Sequence, residues 1–166
     1  MIAKLKLYRI EKQVDLKAST FPNYSSGFKL VIHHPNLTNL NKYGSNPIIN
    51  LLWLIATFGN FNIIYLLDNQ LVVHYSYITS KTFRFPFMSN NDIQIGPCYT
   101  HHKYRSKGIF TEILKIIISC NSKNNVWIYA NLKNIASHKA FEKSGFSFHS
   151  YVSMSYITKI LRTISD

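Results

Sequence analysis

The sequence is poor in acidic residues and in cysteine, and both shortages narrow the possible functions. Seven Asp and Glu stand against 19 Lys and Arg, which gives a formal net charge of +12. A charge this positive favours anionic partners such as nucleic acid, a membrane surface or a phosphorylated small molecule. The two cysteines, Cys98 and Cys120, stand far apart, so they indicate neither a disulfide framework nor a zinc site and fit a reducing cytoplasm.

Long apolar runs and short nucleotide-binding signatures are also missing. The longest apolar stretch, PIINLLWLIATFG, is shorter than the roughly 20 residues that span a bilayer. The first residues alternate charged with apolar types and lack the hydrophobic core of a signal peptide. Neither GxxxxGKS, GxxxxGKT nor GxGxxG occurs, which excludes a P-loop and a dinucleotide-binding fingerprint. We expect a soluble, cytoplasmic protein with no membrane span and no metal site.

The periodicity of apolar residues predicts alternating strands and helices in one domain. A length of 166 residues and a hydrophobic content of 46% suit a single packed core. Runs with strand character cover residues 3–10, 27–34, 61–78 (as a hairpin), 92–100 and 126–131, and a further one starts at 146. Helices are predicted from Asn46 to Gly59, from about Gly108 to Ser119 and from Asn134 to Gly145. The first helix is apolar almost all round, so we expect it to be buried.

A basic turn, HHKYRSKGIF at residues 101–110, lies between a predicted strand and a predicted helix. The first N–H groups of a helix lack backbone partners and carry partial positive charge. A glycine at this point lets a phosphate approach the backbone, and Arg105 and Lys107 add attraction. The turn is a candidate pyrophosphate site, and a solvated basic turn is the alternative. No second basic cluster on a matching element supports a nucleic-acid surface.

A second segment downstream gives the turn its context. NIASHKAFEKSGF, at 134–146, follows a strand that is expected to be buried. Together with RSKGIF, at 105–110, it resembles the two motifs of the GCN5-related N-acetyltransferase family, GNAT, in residue types, order and spacing. The resemblance covers about residues 91–150.

The resemblance implies a fold and an activity. The fold is a single α/β (α+β) domain over residues 1–166, with a central mixed twisted sheet of about six to seven strands flanked by helices. Residues 1–90 form the acceptor-side half and 91–150 the acetyl-CoA-binding core. The activity is transfer of an acetyl group from acetyl-CoA, the co-substrate, to a primary amine by direct attack in a ternary complex. The motifs look most similar to branches that act on amino sugars, including nucleotide-linked ones.

The resemblance also assigns residues to the coenzyme A site. Backbone groups at the end of the strand before the turn pair with the pantetheine arm, and backbone amides of the turn hold the pyrophosphate. The start of the later helix meets the pantetheine or its phosphate end. The matched residues are Pro97, Cys98, Tyr99, Thr100, Arg105, Ser106, Lys107, Gly108, Ile109, Phe110, Asn134 and Ser137.

Two positions of this cofactor site depart from the family pattern. Phe110 replaces the small last residue of the turn and is expected to narrow the approach without removing the amide. Phe141 stands where many members have the tyrosine that protonates the leaving thiolate. Phenylalanine has no proton to give, so either Tyr99 or a water is the acid, or the thiolate leaves unassisted.

An attacking ammonium must first lose a proton, and the sequence offers several bases. Asp92, at the start of the strand, is one candidate, with a turn residue as the equally weighted alternative. His74, His101 and His102 are others, although a structural role fits His74 better and a loop position fits His101 and His102 better. Cys98 fits a small core residue better than a nucleophile.

The acceptor cleft is the least determined part of the site. In the family, the region before the cofactor-binding strand shapes it, and that region is aromatic and basic here. The candidates for its lining are Tyr75, Phe83, Arg84, Phe85 and Phe87, with sheet core as the alternative for the aromatics. We expect a small-molecule amine as the partner, and the sequence leaves monomer and homodimer open. The alternatives are a coenzyme A-binding module without turnover and a nucleic-acid-binding protein.

Overall fold

A computed structural model describes residues 2–11 and 27–164. The described residues form one sheet of eight strands and three α-helices. The strands are β1 (Ile2–Ile10), β2 (Phe28–His33), β3 (Phe61–Asp68), β4 (Leu71–Ser80), β5 (Ile93–Thr100), β6 (Val126–Asn131), β7 (Ser147–Ser155) and β8 (Leu161–Thr163). The helices are α1 (Pro47–Ala56), α2 (Ile109–Cys120) and α3 (Ile135–Lys143). Residues 12–26 of the expected acceptor-side half lie outside the described part of the chain.

The expected fold class is confirmed, with one strand more than the sequence indicated. The strand order is β2-β3-β4-β5-β6-β1-β7-β8, and β5-β6 is the parallel pair in an otherwise antiparallel sheet. The additional strand, β8, is three residues long and pairs with the edge of β7. A run this short shows no alternation that a sequence pattern can reveal.

One face of the sheet carries α2 and α3, and we call it the α2 face. Leu114 and Ile117 of α2 and Phe141 of α3 are buried in one core with Ile95 of β5 and Ile128 of β6. Because strand side chains alternate between faces, the neighbours of Ile95 and Ile128 point away from this core.

Two elements cover the opposite side of the sheet, which we call the α1 face. Trp53 of α1 packs with the buried Ile63 and Tyr65 of β3. The loop over residues 81–92 covers the sheet further along, where its Phe85 packs with Trp127 of β6. Loop and helix therefore lie on the same side of the sheet.

The expectation that α1 is buried is wrong. Trp53 and Asn50 are its buried residues, whereas Ile48 and Ile55 are 68% and 65% exposed. An all-round apolar composition does not bury a helix when only one stripe of it contacts the sheet. No helix in the described part of the chain combines the length and apolarity needed to cross a bilayer.

Candidate functional site

The middle of β5 contains a bulge that separates this strand from β6. Two residues of β5, Gly96 and Pro97, lie opposite the single Tyr77 of β4. A bulge bends its strand, and proline has no N–H to give to a ladder. The parallel register between β5 and β6 joins Ile93–Ile95 to Val126–Ile128 and does not extend beyond them. The two strands therefore part after Ile95, and we call the gap between them the splay.

The splay leaves a strand edge open. The segment Cys98–Thr100 pairs with β4 on one side, and no described strand pairs with it on the other. An open edge of this kind can hydrogen-bond to an extended ligand, as in peptide recognition by strand addition. The end of β6, Tyr129–Asn131, borders the splay from the other side and is held by β1.

The helix that follows β5 starts without a side-chain cap. Gly108 is the N-cap of α2, with a left-handed φ of 77°, and the cap makes no side-chain hydrogen bond. At α1 and α3, by contrast, Asn46 and Asn134 accept hydrogen bonds from the first-turn amides. The first amides of α2 thus remain open to an anion at the positive end of the helix dipole. A Cβ at Gly108 would meet nothing within 4 Å, so the space above it is free.

The basic turn is tied to the end of β5 and to the β3–β4 hairpin. Arg105 donates from Nε to the carbonyl oxygen of Thr100 at 3.0 Å. Tyr104 donates from its hydroxyl to Asp68 at 2.7 Å. The residues from Arg105 to Gly108 are exposed, Ile109 is buried and Phe110 is half-buried. The fold thus brings the matched turn residues next to the open edge, and their contact with coenzyme A stays a prediction.

The two positions that depart from the family pattern contact each other. The rings of Phe110 and Phe141 meet edge to face, with centroids 6.0 Å apart. Phe141 is 2% exposed and also packs against Tyr8, at 5.3 Å. Phe110 lies 5.5 Å from the ring of His74. A tyrosine hydroxyl is therefore replaced here by an apolar contact between α2 and α3.

His74 belongs to a buried polar chain that joins β4 to β5. Its ring nitrogens lie 2.8 Å from the Thr100 hydroxyl and 2.7 Å from the Ser76 hydroxyl. Burial lowers the pKa of His74 to about 3, so the ring is neutral and a poor base at neutral pH. Ser76 in turn donates to Cys98 Sγ at 3.2 Å, and burial raises the pKa of that thiol to about 12. The geometry favours the structural interpretation of both His74 and Cys98.

Asp92 lies at the paired end of β5. Its carboxylate accepts hydrogen bonds from Ser89 N, Asn125 Nδ2 and Trp127 Nε1 at 2.8–2.9 Å. At roughly 3.3 Å per residue, Asp92 lies about 13 Å from Gly96, where the bulge in β5 begins. The side chain thus anchors the loop before β5, which favours its interpretation as a turn residue over that as a base.

Tyr99 borders the splay on the α1 face. It is 39% exposed and stacks on its register partner Tyr75, with centroids 5.6 Å apart. Tyr75 in turn contacts the buried Tyr65, which places the stack on the α1 side of the sheet. The Arg105 guanidinium lies 5.9 Å from the Tyr99 ring and links the stack to the basic turn.

His101 and His102 lie at the turn end of β5 and not in its middle. Their rings stack 4.4 Å apart, and His101 Nδ1 accepts from Lys103 N at 3.4 Å. Desolvation and the neighbouring positive charges of His102, Lys103 and Arg105 lower the pKa of His101. Both imidazoles therefore follow the open segment Cys98–Thr100 directly and lie four and five residues beyond Pro97 of the bulge.

At the start of α3, Asn134 has a structural task of its own. Its Oδ1 accepts from Ser137 N at 3.2 Å, which caps the helix. Ser137 is half-buried, and none of the described residues hydrogen-bonds to its hydroxyl. Of these two matched residues, Ser137 is the better placed to contact a cofactor.

The residues expected to line an acceptor cleft divide into core and surface. Phe85 is core, as the alternative interpretation had it, and Phe87 packs at 5.1 Å on Trp127. Phe83 is largely exposed, and Arg84 is half-buried above the sheet. Tyr75 lines the sheet surface beside Tyr99.

Sequence reasoning missed Tyr129. It follows the paired part of β6 directly, so its side chain lies where the splay opens, with Phe85 at 6.2 Å. The alternation in VWIYAN contained the signal, because Trp127 and Tyr129 occupy one face while the purely aliphatic residues occupy the other. The described residues hold no group of three His, Cys, Asp or Glu side chains that could bind a metal ion.

Two solved structures with a similar fold are described as acetyltransferases. A GNAT-family acetyltransferase from Colwellia psychrerythraea superposes with a TM-score of 0.59 at 10% identity, over 91% of this chain and 54% of that one. A GCN5-related N-acetyltransferase from Sphaerobacter thermophilus gives 0.60 at 12% identity, over 90% and 50%. The chain has the GNAT fold.

A third similar structure is a conserved protein of unknown function from Staphylococcus epidermidis. It gives a TM-score of 0.60 at 16% identity, over 92% of this chain and 60% of that one. The chain thus spans only about half to three-fifths of the length of these GNAT-fold proteins. No family model and no curated protein matches the sequence. The comparisons establish the fold, and the activity must be argued from the site.

Proposed function

We propose that the protein is a GNAT N-acetyltransferase that moves an acetyl group from acetyl-CoA to the primary amine of a small molecule. The observation that carries this proposal is the splay between β5 and β6, which opens beside the uncapped start of α2. The open edge suits the amide-rich pantetheine arm, and the helix start suits the pyrophosphate. The net charge of +12 supports binding of a polyanionic co-substrate.

Each part of acetyl-CoA has a proposed place. The pantetheine amides pair with the backbone of Cys98–Thr100, and the amides of Ser106–Phe110 hold the pyrophosphate. Arg105 and Lys107 attract the phosphates from the exposed side of the turn, and the hydroxyl of Ser137 approaches from α3. The thioester then lies near the bulge in β5, within the splay.

The proposed chemistry is a direct displacement. The deprotonated amine forms a C–N bond to the thioester carbonyl carbon, and the oxygen that becomes negative is stabilised by a backbone amide of β5. The C–S bond then breaks, the leaving thiolate takes one proton, and the nitrogen of the new amide gives up one. Tyr99, exposed at the splay, is the proposed donor in place of the missing tyrosine at Phe141. Since Asp92 and His74 are engaged elsewhere, a water is the proposed acceptor of the amine's proton.

The nature of the acceptor is a further part of the proposal. An amino sugar, including a nucleotide-linked one, suits an aromatic surface such as Tyr75 and Tyr99 beside basic groups. The proposed setting is the cytoplasm, where acetyl-CoA is present. Nucleic acid is not a proposed partner, and light scattering would distinguish a monomer from a homodimer.

The test has two stages. Acetyl-CoA, and not double-stranded DNA, is expected to raise the melting temperature of the protein. Thiol release from acetyl-CoA is then measured against a panel of amines and amino sugars. An amine-dependent release above the protein-free rate is the expected result, and no stabilisation by acetyl-CoA would contradict the assignment of the site.

Phe141 favours a second candidate, a coenzyme A-binding module without turnover. Its buried ring has no proton for a leaving thiolate, and Phe110 packs against it. Such a module would be stabilised by acetyl-CoA but release no thiol with any amine. The two stages of the test therefore separate enzyme from binding module.

A further inference from the structure

Arg84 is a half-buried cation that is fixed in place on the α1 face. Its guanidinium lies 5.3 Å from the ring of Trp53 and 5.4 Å from that of Phe85. Its Nε donates to the carbonyl oxygen of Lys159 at 3.3 Å, and its own carbonyl oxygen accepts from Leu161 N at 2.9 Å. Helix α1, the 81–92 loop and the β7–β8 turn together hold the side chain in one position.

The carboxylates of the described chain do not neutralise Arg84, because they have other partners. Glu11 meets Arg9, Asp68 meets Tyr104, Asp92 meets Trp127, Glu112 meets Lys115 and Glu142 meets Tyr8. A guanidinium has five N–H donors in a planar fork, and this one uses its Nε on a backbone carbonyl. The side chain is half-buried and its hydrogen bond to Lys159 lies at the surface, so a ligand from solvent can reach the guanidinium.

Tyr129 brings a hydroxyl to the same place. It is the first residue of β6 beyond the segment paired with β5, so it lies where the splay opens. Burial raises the pKa of Tyr129, and the charge of Arg84 and a hydrogen bond with its guanidinium act in the opposite direction. The phenol stays protonated at neutral pH and can donate a hydrogen bond.

The surface next to this pair is a flat aromatic floor. Tyr75 of β4 and Tyr99 of β5 stack on the same face of the sheet, and β5 is a neighbour of β6. An acceptor that rests on this floor would lie beside the splay, which Tyr99 and Tyr129 border from its two sides. Its reactive amine can then point into the splay while a second group faces the guanidinium.

We propose that Arg84 and Tyr129 bind an anionic group, a carboxylate or a phosphate, on the acceptor amine. The guanidinium fork matches two oxygens of such a group, and the phenol donates to one of them. This inference rests on the proposed acetyltransferase function and narrows its substrate class to amines that also carry a negative charge. The bound anion would fix the acceptor so that its nitrogen reaches the thioester.

The test compares matched amines that differ in one anionic group. Phenylalanine against phenethylamine tests a carboxylate, and glucosamine 6-phosphate against glucosamine tests a phosphate. We expect the charged member of at least one pair to react with the higher kcat/KM. Arg84→Gln should lower that kcat/KM by roughly 10- to 100-fold, mainly through KM, because a charge-assisted hydrogen bond is lost. The neutral member and the stabilisation by acetyl-CoA should not change.

Three further variants separate geometry from charge. Arg84→Lys keeps the charge without the fork and should recover only part of the loss. Tyr129→Phe removes one donor and should raise KM by roughly 3- to 10-fold. Arg162→Gln removes an exposed arginine from the edge strand β8 and should leave the kinetics of both members unchanged.

The outcomes distinguish this inference from the function on which it rests. If acetyl-CoA binds but no charged amine binds or reacts better than its neutral partner, the anion site is wrong. An equal effect of Arg84→Gln and Arg162→Gln would also overturn it, since net charge alone would then explain the loss. If acetyl-CoA stabilises neither wild type nor variants and no thiol is released, the acetyltransferase proposal itself fails, and this inference with it.

Discussion

The two helices on the α2 face start in different ways, although each follows one of the two parallel strands. α3 follows β6, and its N-cap Asn134 gives its side chain to the amide of Ser137. α2 follows β5, and its N-cap Gly108 has no side chain that could accept a hydrogen bond from the first amides. Both starts lie at the carboxyl edge of the parallel pair, where α/β proteins bind ligands. A helix start can thus be capped by a side chain, which stabilises the helix, or remain uncapped, which leaves its amides open to an anion.

Gly108→Glu should close the open start of α2 and have the largest effect on acetyl-CoA affinity. The new carboxylate would stand in the free space above the turn and repel the pyrophosphate, so we expect acetyl-CoA affinity to fall at least about 100-fold. Gly108→Ala is the matched control, since it carries only the left-handed strain of about 1–2 kcal/mol. Calorimetric titration measures both variants. Equal affinity of Gly108→Glu and wild type would remove the pyrophosphate from this turn.

The double variant Arg105→Gln/Lys107→Gln tests the long-range part of the attraction. We expect about 5- to 20-fold weaker binding of acetyl-CoA and a shallower dependence on salt, because exposed charges act through a screened field. Dissociation constants at low and high salt measure this effect. Lys139→Gln on the exposed side of α3 is the control with a charge removed elsewhere. If Lys139→Gln weakened acetyl-CoA binding as much per removed charge as the double variant does, the location of Arg105 and Lys107 in the turn would not matter.

Asn134→Ala should act on stability and not on the open helix start. Loss of the side-chain cap of α3 is expected to lower the free energy of unfolding by about 1 kcal/mol. Urea denaturation measures this, and titration of the folded variant with acetyl-CoA should give an affinity within a few-fold of wild type. A large loss of affinity with unchanged stability would assign Asn134 to the cofactor instead.

Phe141→Tyr tests how closely the end of α3 is fitted to the start of α2. The added hydroxyl enters a buried contact with Phe110 and Tyr8, so we expect a cost of about 1 kcal/mol in unfolding free energy. Combining it with Phe110→Ala, which opens space beside the ring, should give less than the sum of the two single losses. If the losses of unfolding free energy were additive, the two rings would not pack against each other. Faster thiol release by Phe141→Tyr would show that a missing acid limits the rate.

The fold and the position of the turn followed from local features of the sequence. Periodicity marks the three α-helices and strands β1 to β7, although not the short β8, and Asn46, Gly108 and Asn134 mark the helix starts. Within each motif the residues are close in sequence, so their proximity needed no long-range contact. By contrast, the exposure of α1 depends on what covers it, which its apolar composition does not encode.

The roles of individual polar residues depended on distant partners. Asp92 is an anchor because Asn125 and Trp127, far along the chain, donate to its carboxylate. His74 is neutral because the fold removes it from water and places Thr100 beside it. Tyr129 gains its position from the point where β5 and β6 part, which is a property of the sheet and not of VWIYAN alone.

Amide chemical shifts during a titration of nitrogen-15-labelled protein with coenzyme A test the central claim most directly. The account predicts the largest changes at Cys98–Thr100, along the open edge of β5, and at Ser106–Phe110, at the start of α2. The capped start of α1, at Ile48 and Ile49, should not move. Absence of changes along the edge and the turn, or larger changes at α1, would contradict it.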